Sequence, residues 1–352
     1  MGENNIMKLS SILLQIIGKM HGERSKNAAL YILRGKKSGQ TLSDVKYFNL
    51  KPYFSILPKV EVDEYEEAIH LLQKEHLIEI KDQLVFITEI GFEQLQQLPS
   101  THFKGWSYRG KELLFFRRLS LVVQTVSNIK NGNRSFLPIE SDRTIQIFVK
   151  RFFMNRPLAD PEFARQIGKE LIKAIVQSGM SEEQKLIFAY RLTGYKNAAM
   201  TYDQLSIELK RSPSSIRLLF LESLHRLLPI VEHKKEFPIM SSIAADIRIV
   251  EDLTESATAT KQLYLQGLTM EEIAAKRNLK LSTIEDHFVE MAIHDERFPI
   301  HSFVTERDVQ AVRLKMKELQ TKRLRVLKDE FQALSYFQLR LILSINTGGQ
   351  DD

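Results

Sequence analysis

The chain has 352 residues, of which 43% are hydrophobic and 27% charged, and its formal net charge is +6. At roughly 100 to 200 residues per domain this length predicts two or three domains. The absence of cysteine excludes disulfides, cysteine nucleophiles and thiolate metal sites, and is typical of a reducing cytoplasm. No apolar run approaches the roughly 18 residues that span a bilayer, so we expect a cytoplasmic chain without membrane contact.

The charge is distributed unevenly along the chain. Residues 101–235 hold 23 Lys and Arg against 12 Asp and Glu, and residues 1–59 hold 10 against 3. Residues 60–100 and 236–352 are acidic instead. Concentrated basic charge is typical of a surface that binds nucleic acid, although a basic surface that only maintains solubility has the same composition.

Residues 1–100 have the pattern of a winged helix. Helical apolar spacing occurs at residues 9–20, 25–33 and 63–75. Two short strand-like segments then flank the turn Lys81-Asp82-Gln83, which predicts a β-hairpin. Residues 101–180 predict further helices without a recognisable motif, and we interpret them as a helical connector.

Residues 181–235 predict a helix-turn-helix with helices at 181–192, 202–210 and 214–228. The third of these helices would enter the major groove through its first turn. We therefore expect base contacts from Ser214, Ser215 and Arg217. Lys210 and Arg211 lie in the preceding turn, where phosphates would pass. A three-helix packing unit that contacts no DNA is the alternative.

Residues 236–252 are predicted to be a linker, and residues 253–347 a second helix-turn-helix. Its second helix, predicted at 282–294, carries Glu285 and Asp286 near the start. Carboxylates can accept a hydrogen bond from cytosine N4, but they also repel phosphate. We therefore expect these two residues to contact a protein partner.

Three stretches resemble modules of known DNA-processing proteins. Residues 201–217, with the preceding Tyr190-Arg191-Leu192-Thr193-Gly194, resemble region 4 of bacterial sigma factors. Residues 254–345, including the segments 260–274 and 335–343, resemble the helix-turn-helix domain at the C-terminus of some RecQ helicases. The N-terminal module is similar to the winged-helix RQC domain of those helicases. The segments that carry this similarity are residues 34–38, 47–53, 64–72 and 77–88.

The order of these modules resembles the YpbB family, which is typically encoded beside a RecQ-type helicase. The resemblance implies a mainly α fold with a small N-terminal hairpin. It also implies a non-catalytic accessory protein that supplies DNA-binding modules to a RecQ-type helicase in DNA repair and recombination. On the winged helix, DNA would be contacted by Arg34, Lys36 and Lys37, supported by Lys46 and Lys51. The wing tip has no aromatic wedge, so we do not expect autonomous strand separation.

Other functions remain open at this stage. A transcription regulator would recognise a defined operator through residues 214–217, as a dimer on spaced half-sites. An adaptor would use all three modules as packing scaffolds. The nine histidines form no paired metal-ligand motif, and we expect no enzyme activity, metal or cofactor. Two aromatic and basic clusters, residues 115–118 and 150–153, are more typical of core phenylalanines beside surface cations than of base-stacking platforms.

Overall fold

The computed structural model describes residues 8–249, 253–295, 297–319, 321 and 323–344. Helices dominate these residues, and the one sheet among them is an antiparallel pair of strands. The predicted mainly α fold with a small β-hairpin is therefore confirmed. None of the described helices combines the length and apolar composition needed to cross a membrane.

The N-terminal helices and strands are α1 Leu9–Met20, α2 Lys26–Arg34, α3 Gly39–Tyr47, α4 Val62–Lys74, β1 Ile78–Lys81, β2 Leu84–Ile87 and α5 Glu89–Gln97. The middle of the chain contains α6 Gly105–Tyr108, α7 Lys111–Lys130, α8 Arg143–Met154, α9 Pro161–Gln177, α10 Glu182–Tyr190, α11 Tyr202–Leu209, α12 Pro213–Val231 and α13 Pro238–Ile243. The last helices are α14 Glu255–Leu265, α15 Met270–Arg277, α16 Leu281–His294, α17 Glu306–Leu319, α18 Leu324–Glu330 and α19 Tyr336–Ser344.

These elements form two compact units. The described residues of the central unit fall within Met1–Leu13, Ser55–Ala68 and Gln94–Ile249. Those of the terminal unit fall within Leu14–Phe54, Ile69–Glu93 and Val250–Asp352. Helices α6 to α13 lie wholly in the central unit, whereas α2, α3, the hairpin and α14 to α19 lie wholly in the terminal unit.

Helix α12 is the core helix of the central unit. It packs against α7, α9, α10 and α11. Phe220 of α12 meets Phe116 of α7 edge to face, with ring centroids 4.7 Å apart. Leu224 and Leu228 of α12 are completely buried. The helix continues past Pro229 to Val231, although that proline was expected to end it.

The prediction of a linker at residues 236–252 is wrong for residues 236–249, the part of this range that the structure describes. Residues 238–243 form α13, which packs against α7 and α9. Phe237, Met240, Ile243 and Ile247 are each completely buried. The segment is short and its apolar residues are irregularly spaced, so its burial depends on tertiary packing that no local pattern indicates.

A buried polar network connects α12 to the segment before α7. Glu222 Oε1 accepts a hydrogen bond from the backbone N–H of His102 at 2.7 Å, and its Oε2 accepts one from Gln184 Nε2 at 2.7 Å. His225 Nδ1 accepts a hydrogen bond from the backbone N–H of Lys104 at 3.2 Å. Because Glu222 and His225 are buried, these bonds fix the position of the chain entering α7.

In the terminal unit, strands β1 and β2 form a tight hairpin. Lys81 pairs with Leu84, so Asp82 and Gln83 make a two-residue turn. Both turn residues have positive φ, 49° and 66°, as a type I′ turn requires. The turn predicted at Lys81-Asp82-Gln83 is therefore confirmed.

The terminal unit also contains a helix that the sequence pattern did not predict. Helix α3 is short and carries buried polar residues, including Ser43 and Asp44, so it lacks a clear apolar stripe. It packs against α2, α16 and α19. Burial raises the pKa of Asp44, while the Arg24 guanidinium, whose Nε lies 2.9 Å from Asp44 Oδ1, opposes that rise.

We predict that Glu222→Ala destabilises the central unit. The change leaves the His102 N–H and the Gln184 amide without their acceptor in a dry environment, which costs about 2–4 kcal/mol of unfolding free energy. Urea denaturation followed by circular dichroism measures this loss. Glu182→Ala is the matched control, because Glu182 is exposed and its ion pair with Lys185 lies on the surface. Equal urea midpoints of unfolding for the two variants would contradict a stabilising role of the buried polar network.

Candidate nucleic-acid interface

Helices α10 to α12 form the predicted central helix-turn-helix. Thr201 caps α11 in a capping box with Gln204, and Lys210, which follows the end of α11 at Leu209, adopts a left-handed conformation. Ser212 then caps α12, and Pro213 occupies the first helical position, where its missing N–H is harmless. The three residues between α11 and α12 make the tight turn that orients a helix-turn-helix.

Only the beginning of α12 is accessible. Ser212, Pro213 and Arg217 are exposed and Ser214 is half-buried. Ser215 and Leu218 are each 1% exposed. Beyond Arg217 most of the helix lies in the core of the central unit. Any groove contact by α12 is therefore limited to its first turn.

The predicted base contact by Ser215 is wrong. Its hydroxyl lies 2.8 Å from Ser212 Oγ, and the residue is buried beneath the turn. Ser212 Oγ also accepts the backbone N–H of Ser215 at 3.2 Å. Ser215 therefore stabilises the start of α12. Ser214, whose hydroxyl lies 3.1 Å from Ser212 Oγ, keeps partial access to solvent.

The two cations of the turn are not equivalent, although the sequence pattern treated them alike. Arg211 Nε donates to Glu183 Oε1 at 2.9 Å, so its charge is compensated within the protein. Lys210 is exposed, and within the described part of the chain it has no ion-pair partner. Of the two predicted phosphate contacts, Lys210 is thus the one whose charge is available.

Two arginines converge on one aromatic ring beside this turn. The guanidinium carbon of Arg191 lies 4.3 Å from the Tyr202 ring centroid, and that of Arg217 lies 5.8 Å from the same centroid. Arg191 Nη1 donates to the Met200 carbonyl at 2.8 Å. Neither arginine has a carboxylate partner among the residues that the structure describes. Burial raises the pKa of Tyr202, while both arginines oppose that rise.

The convergence of Arg191 and Arg217 was not predicted, although Arg191 belongs to the stretch that resembles sigma region 4. Two positive charges this close to one ring raise the local positive potential, which favours an anion nearby. Guanidinium groups match the geometry of phosphate oxygens. With Lys210 and the start of α12, these arginines constitute what we call the cationic tip: Arg191, Lys210, Ser214 and Arg217.

The N-terminal basic residues lie in the terminal unit, around the loop between α2 and α3. Lys36 is exposed, and its Nζ sits 3.9 Å above the Tyr31 ring. Lys37 is exposed. Burial raises the pKa of Glu290, and the positive charge of Lys37 opposes that rise. Arg34 is half-buried at the end of α2. These three residues retain the character of a basic surface, and their contact with DNA stays a prediction.

Lys46, in contrast, is a structural residue. Its Nζ donates to the carbonyl of Ile293 at 3.2 Å and also to the carbonyl of Ser344. These carbonyls lie at the C-terminal ends of α16 and α19, where a cation is favourable. Lys46 therefore holds the ends of two helices rather than a phosphate.

The C-terminal helix-turn-helix has the predicted helices but a covered second helix. Helix α16 packs against α3, α14, α15 and α19, and it is buried over much of its length after Leu281. Asp286, expected to contact a partner, instead accepts a hydrogen bond from Arg340 on α19. Glu285 is half-exposed, and burial raises its pKa. Intramolecular packing thus uses the face carrying Asp286.

No three His, Asp or Glu side chains converge as a metal ligand set within the residues that the structure describes.

Residues 256–343 match the model of a helix-turn-helix domain family. The protein YpbB of Bacillus subtilis (strain 168) is 28% identical over 341 residues, which cover 95% of this chain and 96% of that protein. No solved structure matches the chain significantly.

The chain is a helix-turn-helix protein similar to YpbB over nearly its whole length. The resemblance to the YpbB family that the order of modules indicated is therefore confirmed. The match at residues 256–343 covers the region in which the sequence predicted the second helix-turn-helix.

We predict that Lys210→Ala and Arg211→Ala have different effects on DNA affinity. Loss of a single phosphate contact lowers the slope of log affinity against log salt by about 1. Lys210→Ala should produce this change, whereas Arg211→Ala should leave the slope near that of the wild type because Arg211 is paired with Glu183. Fluorescence anisotropy of a labelled duplex at several salt concentrations measures both slopes. A larger effect from Arg211→Ala would contradict the assignment.

Proposed function

We propose that this chain is a non-catalytic DNA-binding accessory protein of a RecQ-type helicase, acting in DNA repair and recombination. The observation that carries the DNA-binding part is the cationic tip. There, two arginines without carboxylate partners among the described residues lie within 5.8 Å of the Tyr202 ring centroid, and one of them, Arg217, belongs to the accessible start of α12.

The chemistry of the cationic tip fits the DNA backbone. Arginine binds phosphate oxygens through parallel N–H donors, and a helix N-terminus adds a favourable dipole. Pro213 and Ser214 present the start of α12 next to Arg217. The net positive charge of residues 101–235 adds a long-range attraction for a polyanion. The site therefore favours a phosphate-binding role.

The geometry favours binding to the backbone over recognition of an operator sequence. Specific recognition requires several side chains on base edges, and phosphate contacts carry no direct sequence information. Along α12, Ser215 and Leu218 are buried, which leaves Ser214 and Arg217 within reach of a groove. This observation supports the accessory role over that of a transcription regulator.

The assignment of the partner rests on resemblance. The C-terminal helix-turn-helix and the N-terminal winged helix are both similar to modules that RecQ helicases carry in their own chains. The match of residues 256–343 to a helix-turn-helix family supports the first similarity. The chain would therefore supply such modules to a helicase as a separate protein.

The double variant Arg191→Ala/Arg217→Ala tests the DNA-binding site. We expect it to lower duplex and fork affinity by about 10- to 100-fold at 100 mM salt and to reduce the salt slope by about 2, since two phosphate contacts are lost. The matched control is Arg165→Ala/Lys169→Ala on α9, which removes the same charge from an exposed surface of the same unit. Fluorescence anisotropy gives both affinities. Equal losses in the two double variants would contradict a localised site.

A helicase assay tests the accessory role separately. We expect the wild-type chain to increase the rate at which a RecQ-type helicase from the same cell unwinds a forked duplex. Arg191→Ala/Arg217→Ala should abolish that increase. A helicase rate unchanged by the wild-type chain, with DNA binding intact, would refute the helicase role and leave DNA binding standing.

A further inference from the structure

The central unit has an open groove that DNA binding by the cationic tip does not use. Its volume is about 420 Å³, and it lies between α7, α8 and the segment that joins them. The lining residues are mostly apolar. They include Leu121, Phe136, Val149, Phe153 and Met154.

Large apolar side chains around this groove are exposed to water. Leu137, which lies between the lining residues Phe136 and Pro138, is 90% exposed. Met154 is 76% exposed, and Ile147 on the same helix is 48% exposed. Contiguous exposed apolar surface of this kind marks interaction sites on soluble proteins.

Cations border this apolar surface. Arg143, Ile147, Lys150, Arg151 and Met154 are all exposed on α8, at spacings that place them on one broad face of the helix. Lys150 also lines the groove. No ion pair involves Arg143, Lys150 or Arg151 in the described ranges. Their charges are therefore available to a ligand.

The acidic residues of the joining segment offset these cations only in part. Glu140 and Asp142 both lie beside Arg117, with nitrogen–oxygen distances of 2.7 and 3.5 Å. Asp142 also caps α8 by accepting the N–H of Thr144. The rim of the groove therefore stays positive.

The groove wall is fixed in place, and the amide and hydroxyl donors of its lining are used internally. Gln124 holds the joining segment by donating to the Leu137 carbonyl at 3.0 Å and accepting the N–H of Ile139 at 2.8 Å. In the lining, Gln146 Nε2 donates to the Glu140 carbonyl, and the Thr125 hydroxyl donates to the Leu121 carbonyl. A wall with its donors engaged suits an apolar side chain better than the polar edge of a base.

We propose that this groove binds a short acidic segment of a partner protein, with the segment's bulky apolar side chains in the groove and its carboxylates on Lys150 and Arg151. Charge complementarity selects the acidic partner, and the apolar lining selects its side chains. Single-stranded nucleic acid fits less well. Phe152 of the cluster at residues 150–153 is 5% exposed and cannot stack on a base.

The test uses a fluorescein-labelled peptide of Asp and Glu interrupted by Leu and Phe, binding to the full chain. We expect Lys150→Glu/Arg151→Glu to weaken binding at least tenfold and Met154→Ser to weaken it about fivefold, since each removes one of the two contributions. Arg165→Glu/Lys169→Glu on α9 is the control with the same charge change, and it should alter affinity less than about twofold.

Peptide and DNA controls make the result decisive. A peptide with serine in place of Leu and Phe should bind at least fivefold more weakly. Equal binding of the two peptides, or no binding of either, would overturn the proposal. Binding of labelled oligo(dT) that depends on Met154, without binding of the peptide, would also overturn the proposal. Met154→Ser should leave duplex affinity unchanged, so failure of this site and failure of the cationic tip are distinguishable.

Discussion

The burial of α12 is the constraint on which the central unit depends. This helix packs against α7, α9, α10 and α11, and from Leu218 onward most of its residues are buried. A helix committed to a core in this way cannot lie along a groove of DNA. Its exposed start can still do so, and the positive charges of Arg191 and Arg217 at the Tyr202 ring, with that of Lys210 in the preceding turn, favour an anion there. The same fold element therefore provides stability and limits how DNA is contacted.

Pairing determines which of the many basic residues are available to a ligand. Arg118 is buried and donates to Asp246 at 2.7 Å, and Arg211 is held by Glu183. Such residues add to the positive charge of residues 101–235 without offering it to DNA. Arg217 and Lys150 have no such carboxylate in the described structure. The two surfaces they belong to differ in chemistry, since one adjoins a helix N-terminus and the other an apolar groove.

Local patterns predicted the features that depend on local physics. The hairpin and the turn before α12 follow from short-range backbone preferences. Features that depend on distant neighbours were missed. The burial of Phe237, the packing of α16 beneath α3, and the meeting of Arg191 with Arg217 at Tyr202 all require the folded chain. Counts of charged residues likewise could not show that Arg211 is paired with Glu183 while the charge of Lys210 is available.

Site-specific photo-crosslinking tests the central claim most directly. Pro213 and Leu281 are the first residues of α12 and α16, the second helices of the two helix-turn-helix units. Each is replaced in turn by p-benzoylphenylalanine, and the full chain is irradiated with labelled fork DNA. We expect strong cross-linking from position 213 and little from position 281. Cross-linking from position 281 alone would contradict this expectation and assign DNA contact to the C-terminal helix-turn-helix.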